Sequence, residues 1–121
     1  MEINLSYGAF ARSSRFGRVS TLAESAALSP KQVFVLTVKA LNQGFGGMEQ
    51  NINYKTENLF EPAIWAGMHD NIRRSLGICL SYLTDGSLVP LLYASRPNAN
   101  NKLYSLKPGV DPAAYSFKAC W

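Results

Sequence analysis

The segment from Ile64 to Leu106 combines helical and extended patterns in an order that restricts the possible folds. Apolar residues at helical spacing share one stripe about 100° wide, namely Ile72, Leu76, Cys79, Leu80 and Leu83. This spacing predicts a helix over 71–84 that begins after the N-cap residue Asp70 and ends at Asp85-Gly86. The residues expected on its opposite, outward face are Arg73, Arg74, Gly77 and Ser81.

The flanks of this helix predict a shorter helix and a hairpin. Proline suits a first helical turn, so a short helix is expected over 62–66, ending near Gly67. After the long helix, 88–95 is apolar enough for a strand, 96–101 is rich in turn residues, and 102–107 alternates as a second strand. We therefore predict a helix, a turn, a longer helix and a two-stranded hairpin with a polar tip.

The N-terminal third is predicted to contain one strand, one basic loop and two helices. Residues 3–7 alternate as a strand does, and 10–20 has the composition of a loop that carries Arg12, Arg15 and Arg18. Capping-box spacing predicts a short helix over 22–28. Ser29-Pro30 opens a helix over 30–43, for which Gly44 is expected to be a left-handed C-cap.

Two other segments have weaker patterns. Ile52, Tyr54 and Thr56 alternate with polar residues, so a short strand is predicted there. Tyr115, Phe117 and Trp121 recur near the C-terminus, which predicts an apolar strip that packs on the domain or on a partner.

Length, composition and cysteine content point to one compact domain in a reducing cytoplasm. With 121 residues, 47% of them apolar, the chain is long enough for one core. Its two cysteines form neither a disulfide framework nor a Cys/His cluster, so no metal site is expected. The sequence shows no signal peptide and no apolar run near the ~20 residues that span a bilayer, so no membrane association is expected.

The missing catalytic motifs argue against an enzyme. His69 is the one histidine, it is predicted in a turn, and no cysteine or serine is paired with it by a known spacing. The acidic residues are scattered over caps and turns, without a pair on one helix face. We therefore expect neither catalysis nor a cofactor.

The charge distribution favours a polyanionic partner. Residues 1–61 carry six Lys/Arg and five Glu, whereas 62–121 carry six Lys/Arg and three Asp, so the second half is +3 and the first +1. A pI near 9 is also common among small proteins with no such partner, and that alternative stays open.

Binding of duplex DNA needs short polar and basic side chains at the start of an exposed helix, and cations that contact phosphates nearby. The predicted base-contacting residues are His69, Asn71, Arg73 and Arg74, and the predicted hairpin-tip contacts are Arg96, Asn98 and Lys102. A basic arm with Arg12, Arg15 and Arg18 is expected to follow phosphates or enter a minor groove. An ordinary solvated helix face, a polar turn and a surface loop are the alternatives.

The segment from about Ser29 to Lys107 resembles the winged-helix, or helix-turn-helix, family of bacterial and phage regulators. The residues that carry the resemblance are Asp85-Gly86, Leu88-Val89 and the Lys102–Leu106 sequence KLYSL, which follow the proposed recognition helix. The resemblance implies an α+β domain over 29–107 that binds duplex DNA sequence-specifically as a transcriptional regulator, commonly as a homodimer. Residues 1–28 then form a strand, arm and short helix, and 108–121 an aromatic extension.

A second hypothesis is a non-enzymatic module whose partner is a host protein, such as a phage- or plasmid-encoded inhibitor of a defence or nuclease complex. The aromatic C-terminus, the low charge content and the absence of catalytic motifs motivate it.

Overall fold

The computed structural model describes residues 1–95 and 102–121, which form a small single-domain α+β fold. Its helices are α1 (Tyr7–Ala11), α2 (Phe16–Ser25), α3 (Pro30–Gly44), α4 (Pro62–Ala66) and α5 (Asp70–Asp85). Its strands are β1 (Glu2–Ser6), β2 (Leu91–Ser95), β3 (Leu103–Leu106) and β4 (Ser116–Cys120). Single 3-10 turns occupy Phe45–Gly47, Thr56–Leu59 and Pro112–Ala114.

The start of α3 is fixed by the capping box that its sequence predicts. The Ser29 hydroxyl accepts a hydrogen bond from the Gln32 N–H at 3.1 Å, and the Gln32 side chain accepts one from the Ser29 N–H at 2.8 Å. Pro30 occupies the first turn, where its missing N–H costs nothing. The helix predicted over 30–43 is therefore confirmed, and its buried residues are Val33, Phe34, Thr37, Val38, Ala40 and Leu41.

The segment predicted as a loop over 10–20 is largely helical, and the helix predicted over 22–28 begins six residues earlier and ends three residues earlier than predicted. Helix α1 covers 7–11, and α2 begins at Phe16 and ends at Ser25. Phe10, Val19 and Ala23 are fully buried, so apolar burial holds this segment helical despite its serines and glycine. The capping-box spacing that predicted the helix start is that of Thr21 and Glu24, but Thr21 lies inside α2, where its hydroxyl donates to the Gly17 carbonyl at 3.0 Å.

Helix α5 is the centre of the fold, because both α2 and α3 pack against it. The five residues of the predicted apolar stripe are all buried, which confirms the stripe. Two details differ from the prediction. His69, not Asp70, is the N-cap, since its Nδ1 accepts from the Asn71 N–H at 3.0 Å. Ser81, predicted to face outward, is only 1% exposed and faces α2.

Strands β1 and β4 join the two ends of the chain in a parallel pair, with Ile3 beside Phe117 and Leu5 beside Ala119. Their inward side chains complete the core next to α3. Phe117 is buried and contacts Phe45 at 5.2 Å between ring centroids, whereas Trp121 is 67% exposed.

Strands β2 and β3 form the predicted antiparallel hairpin, although β2 begins at Leu91 and not at Leu88. Residues 87 and 88 belong instead to the C-terminal cap of α5. Ser87 has a left-handed conformation, and the Leu88 N–H donates to the Leu83 carbonyl. The strand predicted near 52–56 is reduced to one bridge, in which Tyr54 and Tyr104 exchange two backbone hydrogen bonds of 2.7 Å. Within 1–95 and 102–121, none of the helices has the length and apolarity needed to cross a membrane.

The burial of Cys79 has a measurable consequence. Desolvation raises the pKa of its thiol to about 12 from 9.0, whereas Cys120 is only half-buried. Since the thiolate is the reactive form, iodoacetamide should modify Cys120 in the native protein and Cys79 only after unfolding. Peptide mass spectrometry with and without denaturant checks this labelling pattern; equal native labelling of both thiols would contradict it.

The raised pKa of Cys79 also makes stability depend on pH. The folded state holds the Cys79 proton more tightly than the unfolded state, so the free energy of unfolding should fall as the pH rises above about 9.

A basic cleft as the candidate functional site

A cleft of about 500 Å³ lies where the N-terminal half of α5 meets α2, α4, the 55–57 segment and the start of β3. Its size is within the range of ligand-binding sites in proteins. The residues that line it are Arg18, Lys55, Thr56, Glu57, Trp65, Asp70, Arg73, Arg74, Gly77, Ile78, Lys102 and Tyr104.

The cleft is electropositive. Its five cationic side chains outnumber the two acidic ones, Glu57 and Asp70, which leaves an excess of three positive charges. Arg18, Lys55 and Arg74 are exposed, so their charges face solvent across the opening. Converging cations around a concave surface favour an anionic ligand.

Arg73 forms the wall between α5 and α4. Its Nε donates to the Trp65 carbonyl at 3.0 Å and its Nη2 to the Ala66 carbonyl at 2.8 Å. These are the last carbonyls of α4, which a cation stabilises at a helix C-terminus. Trp65 is the residue of α4 that packs against the core, and the Arg73 guanidinium adds a second anchor for that helix. The guanidinium is therefore not directed at solvent as the sequence predicted.

His69 and Asn71 lie at the start of α5 but do not line the cleft. His69 is engaged as the N-cap, and the Asn71 Nδ2 donates to the Ser25 Oγ of α2 at 2.7 Å. Of the four residues predicted to contact bases, Arg74 is therefore the one whose polar group is exposed in the cleft, held by a long 3.5 Å contact with the Asn71 Oδ1.

The hairpin-tip residues Arg96 and Asn98 lie outside the described residues, and their predicted contacts stay predictions. Lys102 lies among the described residues, in the cleft wall immediately before β3.

The three arginines predicted as a basic arm diverge, because their segment is helical. Arg15 forms an ion pair with Asp85 and donates to the Ser81 Oγ at 3.1 Å, which ties α2 to the end of α5. Arg12 is exposed at the end of α1, away from the cleft. Arg18 is the one member that reaches the cleft.

Lys55, Thr56, Glu57 and Trp65 were not predicted as site residues. No local pattern distinguishes Lys55 in the sequence; its position follows from the bridge between Tyr54 and Tyr104, which fixes this segment beside β3. Because that pairing spans fifty residues of sequence, periodicity and capping signals carry no information about it.

Comparison of the chain with protein-family models, with curated proteins and with solved structures found no match. The function of the cleft therefore has to be inferred from its own geometry and charge.

Proposed function

We propose that the chain binds double-stranded DNA, with the basic cleft and the β2–β3 hairpin facing the duplex. The observation that carries the proposal is that Arg18, Lys55, Arg74 and Lys102 come from four separate segments and meet in one cleft. Cations at helix starts and strand ends are the groups that contact backbone phosphates and set the orientation of a protein on DNA.

The order of elements supports a winged-helix-like mode of binding. The short α4, a turn, the longer α5 and the antiparallel β2–β3 hairpin follow one another as in the family that the sequence resembles. In this mode Arg74 on α5 contacts the groove and Lys102 beside the hairpin contacts the backbone. Sequence-specific regulation of transcription is the biological role that goes with it, and Arg74 is the residue we assign to base contact.

The arrangement assigns Arg73 an indirect role. Its guanidinium is held by the carbonyls of Trp65 and Ala66, so it positions α4 and contributes charge to the cleft wall. The contacts of the free protein thus favour phosphate binding over extensive base contact, and a large electrostatic share of the affinity follows.

A charge-matched pair of double variants tests the proposal. Lys55→Ala with Arg74→Ala removes two cleft charges, and Lys39→Ala with Lys118→Ala removes two exposed charges elsewhere, so both chains go from +4 to +2. Fluorescence anisotropy with a labelled duplex over a salt series gives the slope of log K against log salt. The cleft variant should reduce that slope by about 0.9 for the phosphate that Lys55 no longer neutralises and should weaken binding further through the lost Arg74 contact, while the control leaves both unchanged.

Two results would count against the proposal. One is an equal change of slope in both double variants, which would mean that only total charge matters. The other is the absence of duplex binding by the unmodified chain at low salt. Selection from a random duplex pool then measures sequence preference, and Arg74→Ala should relax it at the contacted position.

Exposure of Trp121 favours a second candidate, a protein-binding module with a host protein partner. The indole is 67% exposed at the C-terminus and lies under the Lys31 ammonium, 4.2 Å from the ring centroid. Exposed tryptophans are typical anchors of protein interfaces. Under this alternative, Trp121→Ala weakens the complex and the cleft double variant does not.

A further inference from the structure

The two-stranded parallel sheet has two outer edges, and their positions follow from its hydrogen bonding. The Ser116 N–H donates to the Met1 carbonyl at 2.9 Å, in a register that places Glu2 beside Ser116. In a parallel ladder, alternate residues of a strand bond to the same neighbour. The odd residues of β1 therefore bond to β4, while Glu2, Asn4 and Ser6 direct their backbone groups away from it.

The outer edge of β4 is closed by a side chain. The Asn42 carboxamide on α3 donates to the Phe117 carbonyl and accepts from the Phe117 N–H, both at 2.7 Å. It thus satisfies the two groups that an added strand would use at the centre of this edge.

The outer edge of β1 has no comparable closure. Within 1–95 and 102–121, the backbone hydrogen bonds outside the helices and strands include none from Glu2 or Asn4, and β4 is the one element with which β1 has an extensive interface. The strand has neither proline nor lysine, the residues that commonly protect an edge strand. Glu2, Asn4 and Ser6 are exposed, so the face around this edge is accessible.

We propose that the β1 edge pairs antiparallel with the same edge of a second copy of this chain, about a two-fold axis at Asn4. The two Asn4 residues then exchange N–H···O=C bonds, and Glu2 lies opposite Ser6 of the partner subunit. The result is a four-stranded sheet in the order β4, β1, β1, β4. Both of its outer edges carry the Asn42 closure, so assembly stops at a dimer.

A second copy is the occupant because the edge is complementary to itself. Asn4 meets its own equivalent, and an uncharged carboxamide that both donates and accepts can pair with its copy without the repulsion of like charges. On the buried side, Ile3 and Leu5 continue an apolar row across the new junction. The proposal does not depend on DNA binding and goes beyond it.

Charge substitutions at the two-fold position test the proposal with the full chain and no DNA. Sedimentation velocity under reducing conditions, which exclude a Cys120 disulfide, should give twice the 13.3 kDa chain mass. Asn4→Lys and Asn4→Asp each place like charges directly opposite, so the dimer dissociation constant should rise roughly fivefold for either variant. An equimolar mixture of the two should recover association, since lysine then faces aspartate. Ser116→Lys, on the same face of the sheet but one strand away, is the control and should leave association unchanged.

Three outcomes would overturn the proposal. One is a wild-type chain whose sedimentation gives a mass of 13.3 kDa at every protein concentration measured. Another is a dimer that Asn4→Lys and Asn4→Asp leave intact. The third is a mixture of the two variants that associates no more tightly than either variant alone, while both show the thermal melting of the wild type.

Discussion

Replacing Phe10 with alanine should lower the free energy of unfolding by about 3–5 kcal/mol. The Phe10 ring is fully buried between α2, α3 and α5, with centroid distances of 5.8 Å to Phe16, 5.6 Å to Phe34 and 5.2 Å to Tyr82. Alanine leaves a cavity among rigid rings that cannot collapse into it. Urea unfolding followed by circular dichroism measures the change.

Two further variants provide reference values for the loss of unfolding free energy in Phe10→Ala. Phe10→Leu keeps most of the buried volume and should cost less than the alanine change. Phe60→Ala removes a partly buried ring whose aromatic neighbour is Trp65 at 5.3 Å, and it should also cost less. Equal stability of the Phe10→Ala and wild-type chains would show that this ring does not organise the core.

Phe10 also shows where local sequence patterns were insufficient. Serine, glycine and arginine dominate 10–20 and are typical of a loop, yet the segment folds into α1 and α2. The determinant is the burial of Phe10 and Val19 against residues far away in sequence, such as Phe34 and Tyr82. Helices α3 and α5, in contrast, have long periodic stripes and local caps, and both were predicted within two residues of their observed bounds.

The candidate site was predictable only in part for the same reason. The stripe on α5 indicated that Arg73 and Arg74 leave the core, and both do line the cleft. The carbonyls that bind Arg73 belong to α4, and the acid that binds Arg15 lies seventy residues away, at Asp85. Such partners follow from tertiary packing, so the sequence indicated the charge of the surface but not which side chains face solvent.

The end of α3 was predicted at the correct residue, Gly44, but the physical reason given for a glycine there was wrong. Sequence patterns predicted the end of α3 there and assigned the glycine to a left-handed cap. The observed φ is −108°, and the chain continues into the 3-10 turn Phe45–Gly47. What requires glycine is the backbone of Leu59: a Cβ on residue 44 would lie 2.7 Å from the Leu59 Cα and 2.8 Å from its carbonyl oxygen. The constraint is a close approach of two segments, which no local motif encodes.

Gly44→Ala should therefore destabilise the fold by about 1–3 kcal/mol, although alanine is the better helix former. Backbone atoms of Leu59 cannot rotate aside, so the 56–59 turn that adjoins Lys55 has to shift. Gly17→Ala in α2 is the matched control: nothing lies within 4 Å of its Cβ, and it should stabilise by up to about 1 kcal/mol. Thermal and urea unfolding of both variants give the two signs. If both substitutions stabilise the chain, the contact between Gly44 and Leu59 does not constrain the fold; if only Gly44→Ala destabilises it, this contact fixes the segment that carries Lys55 into the cleft.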